Sequence, residues 1–114
     1  FAGKKQIMNG IWINIHYHKD SNPIHYHPFC YISGVYYVQC PDSCGALQLQ
    51  HPAKDILFYH GIHSAKYEIT PVENTLYIWP SWVNHNVQKN LNKEEQRISI
   101  AFNTVTDKRV NADL

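Results

Sequence analysis

The chain has 114 residues, of which 44% are hydrophobic and 17% charged, and its formal net charge is +1. This length predicts one folded domain over residues 1–114, and the scattered basic residues argue against nucleic acid as a partner. No apolar run approaches the roughly 20 residues of a membrane-spanning helix, so no membrane partner is expected. Three cysteines, an odd number, disfavour a disulfide framework and predict a reducing, cytoplasmic setting.

Short strands are predicted along most of the chain. The first spans Ile11–His18, where isoleucines alternate with Trp12, Asn14 and His16. Further strands are predicted, in chain order, at Ile24–His27, Tyr31–Gln39, Ala46–Gln50, Ala65–Thr70, Thr75–Trp79, Val83–Val87 and Gln96–Phe102. Lys54–Ser64 alternates only weakly and is predicted to be a loop. Many short strands with turn signals between them and no helical period favour an all-β sandwich or barrel.

Histidine is the unusual residue, with eight copies in the chain. The tetrapeptide Ile-His-Tyr-His occurs twice, which makes two His-x-His pairs, His16/His18 and His25/His27. Residues i and i+2 of a strand project from one face about 7 Å apart, so either pair can approach one cation. A third ligand must come from a distant strand, and His85 is the best candidate. Spacing alone does not choose between the two pairs.

A family resemblance adds to this interpretation, and it rests on three segments. They are NPIHYHPFCYISGVYYV (22–38), CGALQLQHP (44–52) and LYIWPSWVNHNVQKNLNKEEQRISIAFN (76–103). Together they resemble the 2-oxoglutarate/Fe(II)-dependent oxygenases of the prolyl-hydroxylase-like type from marine bacteria and phages. The resemblance covers about Trp12 to Asn103 and implies a double-stranded β-helix, a cupin-like jelly-roll barrel. Such proteins usually carry more residues before the first strand, and this chain opens at Phe1, which is consistent with a missing N-terminal segment.

The resemblance also implies site residues. It places Fe(II) on His25, His27 and His85. It places the distal carboxylate of 2-oxoglutarate on Arg97, with Ser99 and Tyr37 as hydroxyl partners. A guanidinium is well suited to clamp a carboxylate through two parallel hydrogen bonds.

One position departs from the commoner oxygenase pattern. Many relatives carry Asp two residues after the first metal-binding His, where this chain has His27. Imidazole suits iron, copper, nickel and zinc alike, so an all-histidine site is chemically feasible. Asp20, or more weakly Asp55, could instead supply the carboxylate. His27 remains the predicted ligand.

The implied activity is hydroxylation of an unidentified small-molecule or peptide substrate. Two alternatives come from other classes. A cupin-like three-histidine dioxygenase or isomerase would bind metal without 2-oxoglutarate, and a non-catalytic β-barrel binding module would need neither. A structural zinc site is the weakest alternative, because three histidines without thiolates leave coordination positions open.

Overall fold

The computed structural model describes residues 5–61 and 66–107. In this part of the chain there are eight strands and one short helix: β1 (Gln6–His16), β2 (Asn22–His25), β3 (Ile32–Gln39), β4 (Leu47–Gln50), α1 (Lys54–Tyr59), β5 (Lys66–Ile69), β6 (Leu76–Pro80), β7 (His85–Val87) and β8 (Arg97–Thr106). Among the described residues, no helix has the length and apolar character needed to cross a membrane.

The strands form two four-stranded sheets in which every pairing is antiparallel. The first sheet has the order β1-β8-β3-β6 and the second β2-β7-β4-β5. Successive strands thus alternate between the sheets, except at β4 and β5, which pair with each other. This is the jelly-roll order, in which paired strands wind into a double-stranded β-helix. The expected all-β fold is confirmed.

Several predicted bounds were wrong: β2 begins two residues earlier than predicted, β7 begins two residues later, and β8 continues to Thr106. The segment predicted as a loop contains helix α1, which is six residues long and therefore too short to show a helical period. The His51 ring accepts a hydrogen bond from the Ala53 backbone N–H just before this helix (3.0 Å). Strand β1 also begins earlier than predicted, at Gln6, because it continues to pair with β8 beyond a bulge between Met8 and Ile11.

The two faces of β1 are used in an unexpected way. Ile11, Ile13 and Ile15 lie on the outer face of the first sheet and are 61%, 66% and 49% exposed. The alternate residues Trp12, Asn14 and His16 line the space between the two sheets. The more polar side of this strand is therefore the inner one.

The core between the sheets is small and partly aromatic. Its buried centre consists of Val35, Tyr37, Leu47 and Trp79. Leu47 comes from the second sheet and the other three from the first. The core thus fixes the separation of the sheets on one side of a cavity that they enclose.

Gly34 provides a test of the packing on the outer face of the first sheet, which points away from the second sheet. Strand pairing sets Gly34 opposite Phe102, and a Cβ at Gly34 would collide with the Phe102 ring. We therefore expect Gly34→Ala to lower the free energy of unfolding by about 1–3 kcal/mol, as overpacking usually does. Urea unfolding measures this value. In a Phe102→Leu background the same substitution should cost much less, and an equal cost there would refute the steric explanation.

Candidate metal centre and adjoining cavity

Three histidines converge between the two sheets. His25 ends β2 and His85 begins β7, and the pairing of these strands sets the two residues opposite each other. His27 follows β2 by two residues. One ring nitrogen from each of the three lies within 4.8 Å of the other two, and no other group of three or more potential metal ligands occurs within residues 5–61 and 66–107. The structure therefore brings together the predicted triad and leaves out His16 and His18.

Backbone carbonyls orient two of these rings. His25 Nδ1 lies 2.6 Å from the Pro23 carbonyl oxygen, and His85 Nδ1 lies 3.0 Å from that of Val83. A carbonyl can only accept, so Nδ1 must carry the proton in both rings and donate it. In the neutral ring the Nε2 lone pair is then free for a cation. Such a hydrogen bond on the far nitrogen is the usual way in which a metal-binding histidine is oriented.

The environment of His27 and His85 favours their neutral form. Burial lowers the pKa of His85 to about 4, and the neighbouring His25 and His27 lower it further against the opposing effect of the Val83 carbonyl. Burial also lowers the pKa of His27, with a smaller contribution from His25. Only neutral imidazole binds a metal, so at neutral pH these two rings need not release a proton first.

The donor set fits Fe(II). Three imidazoles supplied by one side of a cavity resemble a facial triad, which leaves the remaining coordination positions open to ligands. Neither aspartate considered as a substitute for His27 belongs to this cluster. Asp20 accepts a hydrogen bond from the Tyr17 backbone N–H (2.8 Å), and Asp55 pairs with Lys54 (2.9 Å). The described carboxylates therefore leave the site all-histidine.

A cavity of about 230 Å³ extends from the triad into the space between the sheets. Its polar lining, apart from the triad, comprises Asn14, His16, Asn22, Ser33, Tyr37, Ser99 and Asn103. The volume lies below the roughly 300 Å³ at which drug-sized pockets begin, so the cavity suits a small molecule.

Arg97 lies directly behind this lining. It is 1% exposed, and its Nη1 donates to the carbonyls of Cys44 and Gln88, the latter at 2.9 Å. Its Nη2 donates to the His16 ring. Tyr37 and Ser99, which do line the cavity, are its neighbours: Ser99 lies two residues along the same face of β8, and the guanidinium partly offsets the rise that burial causes in the Tyr37 pKa. Arg97 itself is not among the lining residues.

The family resemblance left His16 outside the metal site, as a residue around the ligands, in the substrate cleft or on the surface. The structure buries it to 9% exposure and sets it against Arg97. Arginine has no acceptor, so His16 Nδ1 must hold a lone pair and Nε2 the proton of the neutral ring. Burial, followed by the charge of Arg97, lowers the His16 pKa. The alternation along β1 sets His16 on the same face as Trp12 and Asn14, and it was the one feature of the sequence that could have indicated this inward position.

Comparison with known proteins agrees with this geometry. Residues 10–103 match the model of a family described as "Putative 2OG-Fe(II) oxygenase". The chain belongs to this family. Oxygenases of the family use Fe(II) and 2-oxoglutarate, and the three-histidine cluster is suited to hold the iron. No curated protein matches the chain.

Solved structures share the fold of this oxygenase-family chain. A 2OG-Fe(II) oxygenase family oxidoreductase from Burkholderia pseudomallei has a TM-score of 0.74 at 12% identity, and the match covers 91% of this chain and 47% of that one. A prolyl-4-hydroxylase from Pseudomonas putida has a TM-score of 0.64 at 16% identity, covering 85% and 52%. Prolyl 4-hydroxylase from Phytophthora capsici gives 0.57 at 13%, covering 90% and 33%. The chain spans about half or less of the length of these structures.

Proposed function

We propose that this chain is the core of an Fe(II)- and 2-oxoglutarate-dependent oxygenase that hydroxylates a small-molecule or peptide substrate. In this proposal His25, His27 and His85 hold the iron. The far carboxylate of 2-oxoglutarate binds at the Arg97 end of the cavity, next to the hydroxyls of Tyr37 and Ser99.

The observation that carries this proposal is the buried charge of Arg97. Its guanidinium is almost fully buried, yet within the described residues no carboxylate lies within 4.0 Å of it. Charged groups that leave water are normally paired, because an uncompensated charge in the interior costs several kcal/mol. A dianionic cosubstrate in the adjoining cavity would supply the missing negative charge. A neutral ligand would not.

The chain's own residues then divide the work. The imidazoles of His25, His27 and His85 would hold the cation where they line the cavity. The hydroxyls of Tyr37 and Ser99 donate to the far carboxylate, and Arg97 attracts it through a medium of low dielectric constant. When bound, iron and 2-oxoglutarate supply the oxidising chemistry, which consumes O₂ and releases succinate and CO₂. The protein contributes orientation and exclusion of water.

The part of the proposal that concerns the substrate rests on Trp12, an exposed aromatic residue that lines the cavity. Trp12 is 39% exposed, and its ring centroid lies 6.1 Å from that of His27. An exposed aromatic ring beside the metal ligands offers an apolar contact for an incoming side chain or ring. Two of the similar structures are prolyl 4-hydroxylases, which supports a peptide or amino-acid substrate as the first to be tested.

Thermal unfolding under anaerobic conditions tests the function. Mn(II), an inert substitute for Fe(II), should raise the melting temperature, and 2-oxoglutarate should raise it further only when metal is present, since a ligand specific to the native state stabilises it. Stabilisation by metal but not by 2-oxoglutarate would favour the cupin-like alternative. No effect of either would favour a non-catalytic barrel.

A further inference from the structure

Trp79 carries an unused hydrogen-bond donor at the metal centre. It lies in β6, is 7% exposed and lines the cavity. Its ring centroid is 4.9 Å from that of His85. The indole Nε1 is buried and has no hydrogen-bond partner, and among the described residues it is the only buried side-chain nitrogen or oxygen in that condition.

An orphaned donor of this kind calls for a physical reason. Leaving a buried N–H unpaired destabilises the folded state, and nearly all such groups in folded proteins find a partner. The Ser33 hydroxyl of the same cavity, by contrast, is paired with Ser81 and Asn103 at 2.9 and 2.6 Å. Phenylalanine would keep an aromatic ring at this position without the unpaired group. The N–H of Trp79 therefore points to an acceptor that arrives with a ligand.

We propose that the indole N–H of Trp79 donates a hydrogen bond to an oxygen of 2-oxoglutarate at its metal-binding end. The proposal rests on the proposed function. Trp79 packs beside His85 and lines the cavity, so a molecule bound next to His85 would lie close to the indole ring. The 2-oxo acid end of the cosubstrate presents only oxygen acceptors, namely the keto oxygen and one carboxylate, which match a lone donor. Trp79 is thus a cosubstrate-binding residue in addition to its role in the core.

The matched pair of tryptophans in Trp79-Pro80-Ser81-Trp82 provides the test. Trp79→Phe removes the N–H and keeps an aromatic ring, whereas Trp82→Phe changes a residue that is 60% exposed. Calorimetry on the anaerobic Mn(II) protein would measure the affinity for 2-oxoglutarate and for oxalate, which contains only the metal-binding end. We expect Trp79→Phe to weaken both ligands about ten-fold, the usual effect of losing one hydrogen bond to a charged acceptor. Trp82→Phe should change neither.

The outcomes separate this inference from the function on which it rests. If the wild-type protein binds 2-oxoglutarate and Trp79→Phe binds both ligands equally well, the inference fails while the function stands. A loss for 2-oxoglutarate but not for oxalate would place the contact at the other end and would also overturn it. If the wild-type Mn(II) protein binds neither ligand, both proposals fall.

One readout does not depend on ligand affinity in a variant. In the wild-type protein loaded with diamagnetic Zn(II), the indole N–H resonance of Trp79 should move downfield when oxalate is added. Trp12→Phe and Trp82→Phe assign that resonance by elimination, and an unmoved resonance would contradict the proposal.

Discussion

Replacing His85 with alanine is expected to abolish metal binding, whereas replacing His18 should leave it intact. Within residues 5–61 and 66–107, only His25, His27 and His85 have ring nitrogens within 4.8 Å of one another, so each substitution removes one of three ligands. Loss of even an outer partner of a metal site commonly weakens binding 10- to 100-fold. We therefore expect Mn(II) affinity to fall by more than about 100-fold in His25→Ala and His85→Ala, measured by calorimetry.

His16→Ala and His18→Ala are the matched controls. They change the other copy of the same Ile-His-Tyr-His motif, and neither residue belongs to the cluster. Both variants should bind Mn(II) as the wild type does. Metal lost in His16→Ala but retained in His25→Ala would show that the wrong pair has been chosen. Circular dichroism would establish that each variant is folded.

Replacing Arg97 with leucine is expected to remove 2-oxoglutarate binding while oxalate continues to bind. Oxalate lacks the distal carboxylate, so it does not use the positive charge at that end of the cavity. Removing one member of a buried charge pair costs about 2–5 kcal/mol, so we expect the 2-oxoglutarate affinity to fall by more than about 30-fold. Calorimetry on the Mn(II) protein measures both ligands. Equal losses for oxalate would indicate general damage to the site.

Milder variants keep the prediction testable if Arg97→Leu does not fold. Arg97 donates to the carbonyls of Cys44 and Gln88, and these would be left unpaired in Arg97→Leu. Tyr37→Phe and Ser99→Ala each remove only a hydroxyl from the cavity lining and should weaken 2-oxoglutarate several-fold, again without affecting oxalate. If neither hydroxyl matters, the far carboxylate does not bind at this end.

Much of the fold could be predicted because strand patterns are local. The eight strands were expected near their observed positions, with Ala65 lying outside the described residues, and turns at Pro and Gly separate them as anticipated. Helix α1 was missed because six residues cannot display a period of 3.6. The alternation in β1 was clear, yet it could not tell which side faces inward. An apolar side would be the default choice, but the inner side here contains Asn14 and His16, which face a cavity.

The site was predictable in its residues but not in its contacts. His-x-His spacing is a local signal, and the resemblance chose the second pair. That those residues bind iron stays a prediction. Arg97, in contrast, acquires partners from segments far away in sequence, with Cys44 lying 53 positions earlier. No periodicity encodes such a contact, and for the same reason the unpaired donor of Trp79 became visible only in three dimensions.

The two oriented histidines share a feature with a wider consequence. In each, the anchoring oxygen belongs to the main chain two positions upstream, at Pro23 for His25 and at Val83 for His85. A main-chain anchor survives any side-chain replacement that preserves the local path of the chain. Mutational drift at positions 23 and 83 can therefore proceed without disturbing ring orientation, whereas an insertion or deletion between anchor and ring would disturb it at once. The orientation of these rings is therefore sensitive to the number of residues between anchor and histidine, and insensitive to the side chains at positions 23 and 83.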